Sequence, residues 1–250
     1  MNKINPFRQK LRRILNLPGH LFHLPGIRGK EKIFVISMQR TGTTSVGRFL
    51  EDMGYRVAHE SDGVIYNWNG LWESGNFERI FNSAAFQAFQ AFEDAPWWYP
   101  DFYKILHHRF PGSKFIMLTR DSDQWFDSLV ALKGGRTPGN TRRHCKIYGR
   151  MSEYYQRLNS DPDFHPSFNQ KDELMQLEHM RDHYISVYET YNREVVDFFE
   201  QFSPGSLFTC RLEDENKWQK MGRFIGKKVP EGYDIHANRT AGSSKDNTGS

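Results

Sequence analysis

A short segment rich in hydroxyl groups, Gln39–Ser45, carries the residue types that bind a phosphate-like anion. Its sequence is Gln-Arg-Thr-Gly-Thr-Thr-Ser, so hydroxyls and one guanidinium lie close together. Gly42 allows a backbone turn that approaches a ligand closely. Arg40 offers paired N–H groups, which grip phosphate or sulfate oxygens in a fork. The segment therefore predicts an anion-binding loop.

The residues on either side predict the elements that position this loop. The run Ile33–Ile36 is apolar and mostly β-branched, as is typical of a buried strand. Beyond the loop, apolar residues recur at helical spacing at Val46, Phe49, Leu50 and Met53. A helix that begins there directs its unpaired N–H groups and the positive end of its dipole at the loop.

The loop differs from the nucleotide-triphosphate loop, whose pattern is GxxxxGK[ST]. When the second glycine is aligned with Gly42, Ser37 occupies the first glycine position and Thr43 the lysine position. Thr44 does match the Ser/Thr position. Because the lysine that reaches the terminal phosphates is missing, Arg40 is the cation predicted to serve the loop.

A similar arrangement follows a second apolar strand, which is predicted from Lys114 and ends in Arg120. A helix is predicted to begin near Ser122, and Asp121 or Ser122 can cap it. Ser128 lies eight residues past Arg120, about two helical turns further along.

Together the two elements resemble the sulfotransferase family, which uses 3′-phosphoadenosine 5′-phosphosulfate (PAPS) as its donor. In that family a loop of pattern [KR]-[ST]-G-T-[TS] holds the 5′-phosphosulfate, and residues 40–44 match it as Arg-Thr-Gly-Thr-Thr. The family's 3′-phosphate is bound by an arginine after a later strand and a serine eight residues on, which match Arg120 and Ser128. Ser122 stands where the family commonly has proline, a change that concerns only the helix start.

The resemblance implies a three-layer α/β/α fold with a central parallel sheet, and both phosphate elements at the carboxyl ends of strands. It implies sulfuryl transfer from PAPS to a hydroxyl or amine without a metal, with Arg40 as the catalytic cation. The implied donor-binding residues are Gln39, Arg40, Thr41, Gly42, Thr43, Thr44, Ser45, Arg120, Ser128 and Arg239. Arg239 is included because residues 236–239 resemble a C-terminal segment that covers the cofactor in many sulfotransferases.

A base must also remove the acceptor's proton, and the family places a histidine or carboxylate after an early strand for this purpose. Asp94 is the first candidate, because the resembling subfamily has an Asp two residues before a proline, here Pro96. Glu93 is the second candidate, and His59 after the second predicted strand is the third. The alternative role for each is a helix cap or a surface group, and the sequence leaves this choice open.

The remaining pattern predicts further elements along the chain. They are a strand over Tyr55–His59, one or two helices within Asn67–Phe92 ending in a short strand near Ala88–Phe92, a helix over Asp101–Phe110, a helix over Lys171–Phe202, a strand over Leu207–Cys210 and a helix around Trp218–Ile225. Between Lys133 and Lys171 no regular element is predicted. This basic stretch is interpreted either as a wall that receives an anionic acceptor, such as a saccharide or lipid head group, or as a solvated surface.

The predicted organisation is one domain over residues 32–240, preceded by a basic arm at 1–31 and followed by a disordered tail at 241–250. The apolar run of the arm is too short for a signal peptide or a membrane span. A solvated arm packed on the domain is favoured over an amphipathic helix lying on anionic lipid, which stays the alternative and implies peripheral membrane contact.

Composition narrows the functional classes. Of the 250 residues 38% are hydrophobic and 15% aromatic, which supports a packed core and argues against disorder. The formal charge of +4 suits an anionic ligand, whereas nucleic acid is disfavoured because long basic runs are missing outside the N-terminus. Cys145 and Cys210 form no metal or disulfide pattern, which favours a cytoplasmic location.

Two rival functions follow from the same residues. The first is an ATP-dependent phosphotransferase of the P-loop class, which the missing lysine and the lack of a clear acidic Mg²⁺ ligand after a second apolar strand disfavour. The second is a nucleotide-binding partner protein that kept the fold and lost the chemistry. The favoured prediction is a sulfotransferase whose acceptor is a saccharide or glycolipid.

Overall fold

The structure is a computed structural model that describes residues 11–20, 31–131, 137–138, 141–162, 174–175 and 177–235. Its helices are α1 (residues 11–20), α2 (Thr43–Asp52), α3 (Glu60–Ile65), α4 (Trp68–Glu73), α5 (Phe77–Phe81), α6 (Ala84–Ala88), α7 (Phe102–Arg109), α8 (Ser122–Val130), α9 (Arg142–Ile147), α10 (Met151–Ser160), α11 (Arg181–Phe202) and α12 (Lys217–Ile225). In the described part of the chain, no helix is both long and apolar enough to cross a membrane.

A five-stranded parallel sheet forms the centre of the fold. Its strands are β1 (Ile33–Val35), β2 (Val57–Ala58), β3 (Ala91–Phe92), β4 (Lys114–Thr119) and β7 (Leu207–Arg211). They lie in the order β2-β3-β1-β4-β7, and every neighbouring pair is parallel. All carboxyl ends therefore meet at one edge of the sheet, which is where parallel α/β sheets bind ligands. Two short strands, β5 (Thr137–Pro138) and β6 (Leu174–Met175), form a separate antiparallel pair.

Strands β1, β2 and β3 and the four central residues of β4 are buried at every position, and because successive side chains of a strand point to opposite sides, these strands are covered on both faces. Strand β7, at the edge of the sheet, is only partly buried. Phe34 and Phe115 belong to one hydrophobic cluster, together with residues of α4 to α8 and α11. Val35 and Ile116, one residue further along, belong to a second cluster with residues of α2 and α12. Helices thus cover both faces of the sheet, and the predicted α/β fold with a central parallel sheet is confirmed.

Four element predictions are wrong in detail. The one or two helices predicted within Asn67–Phe92 are three short ones, α4, α5 and α6. The helix predicted from Lys171 begins at Arg181 instead, because residues 174–175 pair with β5 and a 3₁₀ turn at Glu178–Met180 precedes α11. The stretch predicted to lack regular structure contains α9 and α10. The hydroxyl of Thr141 accepts a 3.1 Å hydrogen bond from the His144 amide, which caps the start of α9. Residue 88, predicted in a strand, ends α6.

The N-terminal helix α1 packs on the domain through its polar side chains. The Arg13 guanidinium donates to the carbonyl of Ile65, and the Asn16 amide donates to the hydroxyl of Tyr66 at 3.2 Å. His20, which is buried, contacts Tyr66 and lies 2.9 Å from an Arg56 nitrogen. The arm is thus docked along residues 11–20.

Candidate active site

The predicted anion loop joins β1 to α2 at the carboxyl edge of the sheet. Two of its residues have left-handed backbone, Arg40 with φ +70° and Gly42 with φ +84°. Helix α2 begins immediately afterwards, and the amides of Ser45 and Val46 donate to the Gly42 carbonyl at 3.0 and 3.1 Å. A left-handed conformation at a non-glycine residue such as Arg40 costs about 1 kcal/mol or more and is concentrated at functional sites.

Hydrogen bonds from three other elements fix the shape of the loop. The Leu118 amide of β4 donates to the Ser37 hydroxyl at 2.7 Å. The indole of Trp125 in α8 donates to the Gln39 carbonyl at 2.9 Å, and the Gln39 side chain donates to the Tyr148 hydroxyl at 2.7 Å. The hydroxyl of Thr41, predicted to bind the donor, is buried and donates to the Met38 carbonyl at 2.6 Å, so it shapes the loop internally.

Gly42 also lies close to the residue that follows β7, the strand at one edge of the sheet. A Cβ atom at this position would lie 2.7 Å from Cδ1 of Leu212, which follows β7. The Leu212 amide donates to the Thr119 carbonyl at 2.7 Å, which holds the leucine in place. Both the positive φ and this contact therefore require glycine at position 42.

The second predicted element lies directly beside the loop. Nε of Arg40 donates to the Ser128 hydroxyl at 3.0 Å and to the Ser128 carbonyl at 3.1 Å. Arg120 is close enough that its charge lowers the pKa of Arg40, after burial as the larger cause. Asp121 caps α8 by accepting from the Gln124 amide at 3.1 Å, as predicted. Residues 40, 120 and 128, far apart in sequence, form one cluster.

The Arg120 side chain has unused hydrogen-bonding capacity. Its Nε is buried and has no hydrogen-bond partner among the residues that the structure describes. The carboxylate of Glu213 approaches it only to 3.9 Å. Two neighbouring guanidiniums, one with a buried N–H that lacks a partner among the described residues, suit an anion, because an anion would reduce the repulsion and could accept that hydrogen bond.

The backbone of Arg120 is held by an aromatic pair on α8 and α11. The Tyr188 hydroxyl accepts from the Arg120 amide at 2.8 Å and donates to its carbonyl at 3.2 Å. Tyr188 stacks on Trp125 with ring centroids 4.3 Å apart. Tyr188 was not predicted as a site residue, because nothing in its spacing within the helix predicted over Lys171–Phe202 distinguishes it from the other tyrosines there.

A cavity of about 330 Å³ opens on the other side of the loop. Its wall consists of Thr44, Arg48, Glu51, His59, Glu60, Ser61, Glu93 and Asp94. Thr44 belongs to the anion loop, so the cavity and the loop share a wall. Both leading base candidates, Glu93 and Asp94, also line it.

Glu93 and His59 meet because they directly follow neighbouring strands, β3 and β2. Nδ1 of His59 lies 2.9 Å from Oε1 of Glu93, and its Nε2 lies 2.9 Å from Oε1 of Glu51 on α2. Glu93 is only 2% exposed, and its Oε2 has no hydrogen-bond partner within the described residues. A Cβ at Gly47 would lie 2.9 Å from Cγ of Glu93, so the absence of a side chain there makes room for the carboxylate.

The electrostatic setting of this trio favours a charged imidazole. The hydrogen bond that His59 donates to Glu93, aided by the one to Glu51 and opposed by burial, raises the pKa of His59 to about 9. Burial raises the pKa of Glu93, while the hydrogen bond from His59 opposes that rise. A carboxylate whose pKa is raised is a stronger base than an ordinary one, and a neighbouring imidazolium favours its ionised form.

Asp94 has a different environment, although it lines the same cavity. Its Oδ1 accepts from the Ala95 amide at 2.7 Å and, more weakly, from the Trp98 indole at 3.4 Å. Its backbone is left-handed, with φ +65°. Burial raises its pKa as well. One carboxylate oxygen of Asp94 is therefore committed to its own turn.

The structure brings the predicted loop, the Arg120–Ser128 element and the two carboxylates to one edge of the sheet. Arg239 lies outside the described residues. Glu51 was not predicted, since a glutamate on the exposed side of an amphipathic helix carries no distinguishing signal. Over the part of the chain that the structure describes, no group of three or more His, Cys, Asp or Glu side chains is arranged to hold a metal ion.

Comparison with known proteins agrees with this geometry. A family model described as a sulfotransferase domain matches residues 32–241, which is most of the chain. No curated protein matches the sequence. The matched region contains β1 with its anion loop, β4 with the Arg120–Ser128 element, and the cavity. The chain belongs to the sulfotransferase family, and it is a transferase that moves sulfuryl groups.

Proposed function

We propose that this enzyme transfers the sulfuryl group of PAPS to a hydroxyl or amine of a saccharide or glycolipid. The donor assignment rests on the Arg40–Ser128–Arg120 cluster, in which the buried Nε of Arg120 has no partner among the described residues. The cluster lies beside the anion loop but is built from a different strand and helix. This gives two adjacent anion sites, which match the 5′-phosphosulfate and the 3′-phosphate of PAPS.

ATP would fit these two anion sites less well than PAPS. Its phosphates form a single chain that needs one elongated site, usually with a lysine and Mg²⁺. Here Thr43 takes the lysine position, and a 3′-hydroxyl would leave Arg120 without an anion. We therefore place the 3′-phosphate against Arg120 and Ser128, and the 5′ end against the loop residues 39–45.

The donor, when bound, supplies a sulfuryl group whose S–O bond to the leaving phosphate breaks as the bond to the acceptor oxygen forms. Arg40 and the amides at the start of α2 stabilise the negative charge that develops on the leaving phosphate. The hydroxyls of Thr43 and Thr44 hold the sulfuryl oxygens. The acceptor approaches from the cavity, since Thr44 is common to both.

We assign Glu93 as the base that takes the acceptor's proton. Its Oε2 is buried, unpaired among the described residues and part of the cavity wall, whereas Oδ1 of Asp94 is engaged by its own turn. His59 acts as a positioning residue: it fixes Oε1 of Glu93 and stabilises its ionised form. Glu51 in turn fixes the other nitrogen of the imidazole.

The cavity wall indicates the kind of acceptor. Its four carboxylates, on Glu51, Glu60, Glu93 and Asp94, suit hydroxyl or ammonium donors and disfavour an anionic group. Two arginines of the basic stretch between Lys133 and Lys171 are engaged elsewhere, because Arg142 and Arg143 pair with buried Glu73 at 3.1 and 3.4 Å. A neutral sugar therefore fits the cavity better than an anionic one. We retain the cytoplasmic location as part of the proposal, on the cysteine pattern, and cell fractionation tests it.

Calorimetric titration with 3′-phosphoadenosine 5′-phosphate, and separately with ATP and Mg²⁺, tests the donor assignment. The wild type should bind the bisphosphate in preference to ATP. Arg120→Ala should weaken bisphosphate binding by about tenfold to a hundredfold, the worth of a charge-assisted hydrogen bond to phosphate. Arg79→Ala, an exposed arginine on α5, is the matched control and should bind like the wild type.

Equal affinity for ATP, or an unchanged affinity in Arg120→Ala, would contradict the assignment and favour a phosphotransferase. A protein that binds the bisphosphate but releases none from PAPS with any neutral oligosaccharide, glycolipid or amine would be the non-catalytic binding protein. Release of the bisphosphate that depends on a neutral sugar acceptor would support both the donor and the acceptor class.

A further inference from the structure

Helix α1 differs from an ordinary surface helix, because its polar side chains face the domain and its apolar side chains face outward. Its polar residues Arg13, Asn16 and His20 face the domain, where they contact the carbonyl of Ile65 and the hydroxyl of Tyr66. Its large apolar residues are exposed to the exterior: Leu11 is 45% exposed, Ile14 58%, Leu15 67% and Leu17 43%.

Helical geometry separates the two sets cleanly. With 3.6 residues per turn, positions 13, 16 and 20 cluster on one side, and positions 11, 14 and 15 cluster about 180° away. The outward apolar face is therefore a continuous stripe and not a scatter of single exposed residues. Such stripes mark interaction surfaces, because leaving them in water costs free energy in proportion to their area.

The charge of this region indicates which surface covers the stripe. Residues 1–30 contain seven Lys or Arg and no Asp or Glu, whereas the remaining residues hold 27 Lys or Arg against 30 Asp or Glu. The whole positive excess of the chain is thus concentrated around α1. Exposed Arg12 lies on the flank of the apolar stripe, between it and the docked face.

We propose that the outward face of α1, Leu11, Ile14 and Leu15, docks on an anionic lipid bilayer surface. Burial of leucine and isoleucine among the acyl chains supplies the non-polar part of the binding. The clustered Lys and Arg residues supply attraction to acidic head groups. The polar contacts with residues 56, 65 and 66 hold the helix in the orientation that presents this face.

Flotation of the full chain with phosphatidylcholine vesicles, with and without phosphatidylserine, tests the proposal. The wild type should float with the vesicles that contain phosphatidylserine, and added salt should weaken binding because it screens the basic residues. Leu11→Ser/Ile14→Ser/Leu15→Ser should lose about tenfold or more in vesicle affinity. These side chains are exposed, so the variant should keep the wild-type unfolding temperature and bisphosphate affinity.

Phe202→Ser is the matched control, because Phe202 is 56% exposed and lies at the end of α11 instead of on α1. It should bind vesicles as the wild type does. The proposal is overturned if the wild type fails to bind phosphatidylserine vesicles or if the triple variant binds them equally well. It is also overturned if the wild type is a dimer that the triple variant converts to a monomer without any vesicle binding, since a second copy would then cover the face.

Discussion

The two halves of the proposed active site are built in opposite ways. On the proposed donor side, around Arg40 and Arg120, positive groups lie together and one buried N–H lacks a partner among the residues that the structure describes. On the acceptor side, around Glu93, negative groups lie together and are bridged by one histidine. The excess positive charge on the first side would be neutralised by a bound anion. The carboxylates on the second side would accept a hydrogen bond from a substrate that donates a proton.

We also expect the two sides to determine different properties of the enzyme. The donor side is rigid, since four hydrogen bonds and Leu212 fix the loop, and we expect it to govern donor affinity. The acceptor side depends on one carboxylate held by His59, and we expect it to govern turnover. Substitutions on the two sides should therefore change different kinetic constants.

Glu93→Gln should give the largest effect. The amide keeps the size of the side chain but cannot accept the acceptor's proton, so kcat should fall by about 10²- to 10⁴-fold while bisphosphate affinity stays unchanged. Steady-state kinetics and calorimetry measure the two quantities. Asp94→Asn is the comparison variant and should lose less; a larger loss in Asp94→Asn would transfer the role of base to Asp94.

Gly47→Ala should come next, because it displaces the base without removing it. The new Cβ would lie 2.9 Å from Cγ of Glu93 and 3.2 Å from Cε1 of His59. A shift of about 1 Å in a reacting group can cost up to about 100-fold in kcat. Gly19→Ala, a helical glycine with open space around it, is the control and should retain wild-type turnover.

Gly42→Ala tests the donor side in the same way. The left-handed backbone disfavours alanine by about 1–2 kcal/mol, and the methyl group would contact Leu212. We expect bisphosphate affinity to weaken by about tenfold and the unfolding temperature to fall. A variant with wild-type donor affinity and reduced kcat would contradict the division of tasks between the two sides.

The smallest expected effect is the pH dependence of the free energy of unfolding that His59 contributes. Because the pKa of His59 is raised from 6.5 to about 9, its contribution to folding is fully present below pH 6.5 and is lost as the pH rises through about 9. Denaturant unfolding of the wild type and of His59→Asn should therefore differ by on the order of 1 kcal/mol near pH 6, allowing for partial exposure of the ring, and less at pH 10. A difference that is independent of pH would show that His59 is neutral in the folded protein.

The donor side was largely predictable from the sequence, and the acceptor side only in part. A loop such as Gln39–Ser45 is contiguous, and Arg120 and Ser128 lie on one strand–helix unit, so local spacing reveals them. The contact between Glu93 and His59 depends on the order of strands β2 and β3, and Glu51 joins them from α2. Spacing along the chain does not encode those distances, so the sequence ranked Asp94 first only on the family resemblance and left the choice of base open.

The same distinction holds for the fold. The strands and the helices with clear periodicity were predicted, because burial on both sheet faces leaves continuous apolar runs. Helices α9 and α10 were missed because their polar, basic residues obscure the pattern. The partner of Arg142 and Arg143, the buried carboxylate of Glu73, lies on α4 and is far away in sequence.

The contact between Gly42 and Leu212 has a consequence for how the protein is made. A ribosome produces the anion loop early, but the residue that packs on it follows the last strand of the sheet. Until β7 emerges, β4 presents an open edge and the loop lacks its lid, so the nascent chain exposes unpaired backbone. Premature termination before residue 212 would thus yield a fragment that is prone to aggregate and lacks a completed donor site.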